Sequence, residues 1–126
     1  MNKPTFEKLR IWQEAYQLML EVHTITKTLP REEKFKLADQ AERSSGSVPD
    51  AIAEGYSTYY YNDKIKSFYL ARREAGETQN HLRKMEGKRY LATTKSQELV
   101  DRYEGLIKGI NAYIRYIREK QQNEKQ

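Results

Sequence analysis

The 126-residue chain has no cysteine, which excludes disulfides and thiolate metal sites. Three prolines and six glycines are too few for a turn-rich β protein. No apolar run reaches membrane-spanning length, and Lys3, Glu7, Lys8 and Arg10 break up the stretch where a secretory leader would need continuous apolar residues. A cytoplasmic protein with no membrane contact is the expectation. Catalytic signatures are lacking too. Ser44, Ser45 and Ser47 fall in a helical pattern without glycine-elbow spacing, and the Gly46 to Gly55 interval fits neither a phosphate loop nor a dinucleotide fingerprint. Glu77 and His81, four residues apart, are not matched by a second Glu and His pair, so a carboxylate-bridged metal centre is incomplete. No enzyme activity, cofactor or metal is expected.

What the chain has is charge, and it is unevenly placed. Of a net +5, residues 61–95 carry nine cations against four carboxylates, which is +5 alone. Within that segment Lys64, Lys66, Arg72, Arg73, Arg83, Lys84, Lys88 and Arg89 are candidate contacts for RNA or DNA, steered there by long-range attraction to phosphates. The competing reading pairs these cations with Glu74, Glu77 and Glu86 on a solvated helix face. Ten tyrosines are also present, with Tyr56, Tyr59, Tyr60 and Tyr61 just before Lys64 and Lys66. Aromatics among cations can stack bases, and tyrosine serves equally well at subunit interfaces.

Apolar periodicity predicts four long helices. Ile11, Ala15, Leu18, Val22, Ile25 and Leu29 mark one face of the first, which Pro30 ends. A second stripe, Leu9, Trp12, Tyr16, Met19 and His23, is more than one bundle helix needs and suggests self-association. The second helix is expected from about Glu32 to Tyr56 or a turn beyond, with Phe35, Ala38, Ala41, Ser45, Val48 and Ile52 inward. The third is capped by Asn62 or Asp63, buries Ile65, Phe68, Ala71, Ala75, Thr78, Leu82 and Met85, and closes at Gly87. Thr94 with Gln97 forms a capping-box signature for the fourth, whose inner face is Leu99, Tyr103, Leu106, Ile110, Tyr113 and Ile117, with a second stripe of Val100, Ile107 and Ile114. Short connections make successive helices antiparallel neighbours, so the fold is a single-domain, all-α, up-down-up-down four-helix bundle with a polar tail from about residue 121.

Residues 40–55 are the most unusual stretch, because small side chains surround a proline inside a helix. An interior proline forfeits a backbone hydrogen bond at a cost of about 3 kcal/mol, so close backbone packing must compensate. Glu54, at the end of this stretch, is expected to be partly buried. Arg43 is three turns away on the same helix, so its partner would be Arg72, Arg73 or another subunit.

The chain resembles the four-helix-bundle family named for proteins encoded in intervening sequences of bacterial 23S ribosomal RNA genes. The likeness spans nearly the whole length. It runs through Phe6, Leu9, Trp12, Gln13 and Ala15, then Leu29, Pro30, Glu33, Phe35 and Leu37, then Gln40, Arg43, Ser44, Ser47, Val48, Pro49, Ile52, Ala53, Glu54 and Gly55. Glu74 to Thr78, Leu82 and Tyr90 continue it. Arg43, Pro49, Glu54, Gly55 and Glu77 would be its structural motif. The resemblance implies a ring-like homopentamer without known catalytic activity. A more distant similarity to the accessory variability proteins of diversity-generating retroelements implies association with nucleic acid and with a reverse transcriptase or ribonucleoprotein. A purely structural protein-interaction module is the alternative. Ala51 departs from the family, which usually has asparagine there. If that asparagine satisfies the backbone freed by Pro49, Ser45 or Ser47 must do so here, or the local geometry differs.

Overall fold

The computed structural model describes residues 5–125. Four helices, α1 (Arg10–Thr26), α2 (Leu37–Ser57), α3 (Tyr61–Gly87) and α4 (Thr93–Lys125), form an antiparallel bundle, and the described residues include no strand. Single 3-10 turns at Thr5–Lys8 and Arg31–Glu33 precede α1 and α2. Register is visible in the contacts. Ser44 meets Thr78 and Gly55 meets Phe68 across α2 and α3, while Arg83 bonds Gln97, Arg72 bonds Asn111 and Tyr61 bonds Glu124 across α3 and α4.

The core follows the 3.6-residue period closely. All seven inward positions expected on α3 are buried, as are Ala15, Leu18 and Val22 of α1 and Leu99, Tyr103, Leu106, Ile110 and Ile117 of α4. Ile114, assigned above to a second stripe, is a core residue, and Tyr113 is only half-buried, tilted against the Phe68 ring at 4.8 Å. Near its end α4 therefore turns the Ile114 side of the helix inward.

α2 is the close-packing helix. A Cβ on Gly55 would lie 3.0 Å from both the Phe68 ring and the Ser67 side chain, so glycine permits the α2–α3 approach. Pro49 is buried within the helix, and the carbonyl it leaves without its usual donor is that of Ser45. Of the two alternatives the serines do not supply the first: Ser45 Oγ donates to the Glu42 carbonyl and Ser47 Oγ to the Arg43 carbonyl. Ala51 is buried.

The helix ends differ most from expectation. α2 starts at Leu37 rather than near Glu32, because residues 31–33 form a 3-10 turn and Lys36, at φ −121° and ψ −105°, breaks the helical path. The break resets the phase, and Phe35 is 83% exposed instead of inward. α3 begins at Tyr61 with no side-chain cap, and Asn62 instead accepts a bond from Gln121. α4 begins at Thr93, where the Ala92 carbonyl accepts the Ser96 N–H, so Thr94 is already inside the helix. Gln97 meanwhile bonds Arg83 and Asp101. Gly87 has no left-handed conformation. That role falls to Arg89, with φ of 65°.

Among the described residues, one polar atom in the core is unsatisfied. The Tyr103 hydroxyl is buried without a hydrogen-bond partner, while nearby Thr78 is engaged with Ser44 and with the Glu74 carbonyl. Tyr103→Phe removes this unpaired group, and chemical denaturation is expected to show a stability gain of about 1 kcal/mol.

Candidate nucleic-acid interface

Two connections meet at one end of the bundle. After Pro30 ends the α1 segment, the 3-10 turn closes with the Glu33 N–H on the Pro30 carbonyl and carries the Glu33 side chain inward, where it is only 4% exposed. Its carboxylate accepts Lys88 Nζ at 2.8 Å and the Tyr90 hydroxyl at 3.0 Å, both from the α3–α4 corner. The Lys88 bond, outweighing desolvation and joined by Tyr90, holds the Glu33 carboxyl below its ordinary range, and Glu33 in turn raises Lys88. The corner itself is a left-handed helix stop. Tyr90 N–H reaches the Met85 carbonyl at 2.8 Å and Arg89 N–H the Glu86 carbonyl at 2.9 Å, with Arg89 where glycine is usual.

This clamp gathers charge from segments far apart in sequence. Residues 27–36 contribute Lys27, Arg31, Lys34 and Lys36 against Glu32 and Glu33. Residues 83–89 contribute Arg83, Lys84, Lys88 and Arg89 against Glu86. Eight cations against three carboxylates give +5, the net charge of the whole chain. Arg83 pairs with Glu86 and Lys88 with Glu33, which leaves Lys27, Arg31, Lys34, Lys36, Lys84 and Arg89 outside any ion pair among the described residues. Phe35 stands exposed beside Lys27, Arg31 and Lys34, with Lys34 Nζ 5.4 Å from its ring centre, and Asp39 and Glu42 line the same cavity. The loop cations escaped the sequence reading because they are separated from the α3 cluster by the whole of α2; Glu33 and Tyr90 were the visible hints.

The eight candidate cations are thus not equivalent. Arg83, Lys84, Lys88 and Arg89 lie at this pole. Lys64 is at the opposite end, donating to the Gly55 and Tyr56 carbonyls that finish α2, and burial together with nearby Lys120 lowers its pKa. Lys66 is exposed there without an ion pair. Arg72 lies over Tyr69, 4.6 Å from the ring centre, and bonds Asn111, while Arg73 contacts Glu74 at 3.5 Å. Glu54 is exposed, without the ion pair to Arg72 or Arg73 expected of a buried carboxylate, because its position on α2 faces away from the α3 contact.

At this far end, six of the ten tyrosines (Tyr56, Tyr59, Tyr60, Tyr61, Tyr113 and Tyr116) line a cavity of about 610 Å³ with Lys64 and Lys120. Tyr59 is 85% exposed, and Tyr61 donates to Glu124 at 2.6 Å. A third feature is a polar groove of about 600 Å³ between α2 and α3. Gln40, Arg43, Ser44 and Ser47 form one wall, and Glu74, Glu77, Asn80, His81 and Lys84 the other. Arg43 reaches Asp39 at 3.2 Å, and the Glu74 carboxyl is raised by burial and by Glu77. Burial and Lys84 lower His81 against the pull of Glu77, and His81 Nδ1 has no hydrogen-bond partner.

The clamp has a pH signature. A carboxyl held below its ordinary value of 4.5 contributes stability that is complete above that pH and disappears as pH falls through the lowered folded-state value. The stability difference between the wild-type chain and Glu33→Gln is therefore expected to be constant near neutrality and to shrink below pH 4.5 in thermal melts.

A crystal structure of a protein of unknown function from the S23 ribosomal protein family of Bacteroides thetaiotaomicron VPI-5482 superposes with a TM-score of 0.77 at 21% identity, covering 83% of this chain and 95% of that one. That likeness shows the fold. No curated protein matches the chain. No helix among the described residues is long and apolar enough to cross a membrane. Residues 7–112, on the other hand, match the 23S rRNA-intervening sequence protein family over most of the bundle, including Glu33, the α2 motif and Tyr90, and the chain belongs to that family.

Proposed function

We propose that this protein is a non-enzymatic, self-associating scaffold that binds RNA or DNA through the basic pole held together by Glu33. The observation that carries the reading is the set of six cations without ion pairs at this pole among the described residues, three of which, Lys27, Arg31 and Lys34, line one cavity with exposed Phe35. Flexible lysines and arginines neutralise phosphates without fixing a sequence, and an exposed ring offers a base a stacking surface. Arg89 strengthens the case. A non-glycine residue in the left-handed region costs about 1 kcal/mol, so the corner bears strain while presenting an unpaired guanidinium to solvent.

Self-association is supported by the second stripe of α1. Trp12 stacks on Tyr16 at 4.9 Å, Phe6 meets Trp12 edge-on at 5.3 Å, and Tyr16 and Leu20 remain exposed. An aromatic surface of this kind suits a subunit contact. A ring of five copies, as the resemblance implies, would multiply the pole into a polyvalent basic surface. A reverse transcriptase or ribonucleoprotein is the class of partner that would share the same nucleic acid.

Fluorescence anisotropy with labelled structured RNA and duplex DNA, with mass from light scattering in parallel, tests the reading. Saturable binding by a discrete oligomer should weaken steeply with salt. Replacing Lys34, Lys84 or Arg89 with glutamine should lower the slope of log K against log salt by about one each. Binding indifferent to salt and to these substitutions would leave the purely structural module. Arg89→Gly separates the two roles of the corner: the variant is expected to gain about 1 kcal/mol of stability while losing affinity.

A further inference from the structure

Phe35 contributes almost nothing to the core, yet it stands at a concavity rather than on an open surface. The ring is 83% exposed and lines a cavity of about 480 Å³ between the end of α1 and the start of α2. Leu29, Pro30 and Ala38 give that cavity apolar walls, and Leu29 is itself packed against the core. A volume of this size falls within the range of small-ligand clefts. The place of the ring follows from Lys36, whose φ of −121° and ψ of −105° interrupt the helical path just before α2.

The chemistry around the cavity is divided. Lys27, Arg31 and Lys34 are exposed along it and lie outside any ion pair among the described residues. Asp39 and Glu42 line its α2 side, where Asp39 is paired with Arg43 and Glu42 accepts bonds from Thr26 and His23. A free phosphate fits this cavity poorly, because past the cations it meets two carboxylates and an apolar wall. An acidic peptide side chain meets the same obstacle. What fits is a neutral, flat group with N–H donors, carried on a chain whose anionic charges stay outside on the cations. A nucleobase on its sugar-phosphate backbone has that form. It offers two π faces to Phe35 and at least one N–H donor on its Watson–Crick edge, with phosphates on either side. In a duplex, stacking and pairing already occupy the faces and that edge, so only an unpaired nucleotide can enter.

We propose that the basic pole recognises single-stranded nucleic acid, seating one unpaired base against Phe35 in the cavity between α1 and α2, with the flanking phosphates on Lys27, Arg31 and Lys34. The inference rests on nucleic-acid binding at the pole and adds to it the class of strand and the place of one base. No sequence preference follows, since every base has a face to stack.

Anisotropy titrations of the full chain against a labelled oligothymidylate, its duplex with oligoadenylate, and an abasic phosphodiester strand of the same length test the proposal. The thymidylate strand is expected to bind about tenfold tighter than the abasic strand, which carries the same charges without bases. Phe35→Ala, at an exposed position, should bring the thymidylate strand down to the abasic level. It should leave the abasic and duplex affinities, and the slope of log K against log salt, unchanged. Phe35→Trp should keep the preference. Equal binding of the thymidylate and abasic strands, a preference that survives Phe35→Ala, or a Phe35→Ala variant weakened toward all three ligands alike would overturn the proposal. In each of those cases a salt slope still lowered by Lys34→Gln leaves polyanion binding at the pole standing. Absence of salt-sensitive binding to any of the three would remove that reading, and this proposal with it.

Discussion

The close approach of α2 to α3 is the constraint on which the remainder of the bundle depends. At Gly55 a Cβ would sit only 3.0 Å from Phe68 and Ser67, and thirty-four residues apart in sequence the Ser44 and Thr78 hydroxyls meet at 2.7 Å in the interior. α2 contributes proximity rather than bulk, and α3 supplies the volume through Phe68, Leu82 and Met85. A helix built this way tolerates Pro49, because close packing compensates for the forfeited backbone bond. The same approach leaves small residues along the outer seam, so polar side chains line an open groove there instead of a ridge.

The register of that pair also decides what happens at the pole. With α2 starting at Leu37 and α3 ending at Gly87, the turn before one helix lies beside the corner after the other, and Glu33 reaches Lys88 and Tyr90. A buried carboxylate is tolerable because both neighbours donate to it. The consequence is electrostatic: like-charged segments that would repel each other are held together by a single acceptor, and the unpaired cations around them face water. Elsewhere the bundle distributes its ions differently. Arg102 spans Glu14 and Glu21 of α1 from α4, and the Lys95 contact with Glu21 adds a second tie.

The bundle's architecture was legible in the sequence because long helices repeat their apolar pattern often enough to average out exceptions. The seven core positions of α3 are the clearest case. The ends were not legible, for local reasons. One residue, Lys36, resets the helical phase and turns Phe35 outward, and no propensity distinguishes that from a helix begun at Glu32. Gly87 looked like the natural stop, yet Arg89 adopts the left-handed conformation because the Tyr90 hydroxyl and the Lys88 ammonium must both reach Glu33. For the candidate interface, the α3 cations Arg83, Lys84, Lys88 and Arg89 were visible as a cluster. Their companions at 27–36 were not, since charge density along the chain says nothing about which loops share an end.

The unequal lengths of α1 and α4 have a consequence for cohesion. At 17 residues α1 spans about 26 Å, while the 33 residues of α4 span about 50 Å. The N-terminal part of α1 meets α4 at Gly109, where Ile11 packs against the glycine, so the later turns of α4 continue without that neighbour. They are held by Ile114 and Ile117 and by solvent-exposed bonds from Arg118 to Tyr69, Gln121 to Asn62 and Tyr61 to Glu124. Such a segment opens at lower free energy than the four-helix part. The molecule is therefore a four-helix bundle at the basic pole and a looser end at the tyrosines, where α3 and α4 have only the last turns of α2 beside them and amide protons of α4 exchange with solvent well before those near Tyr103.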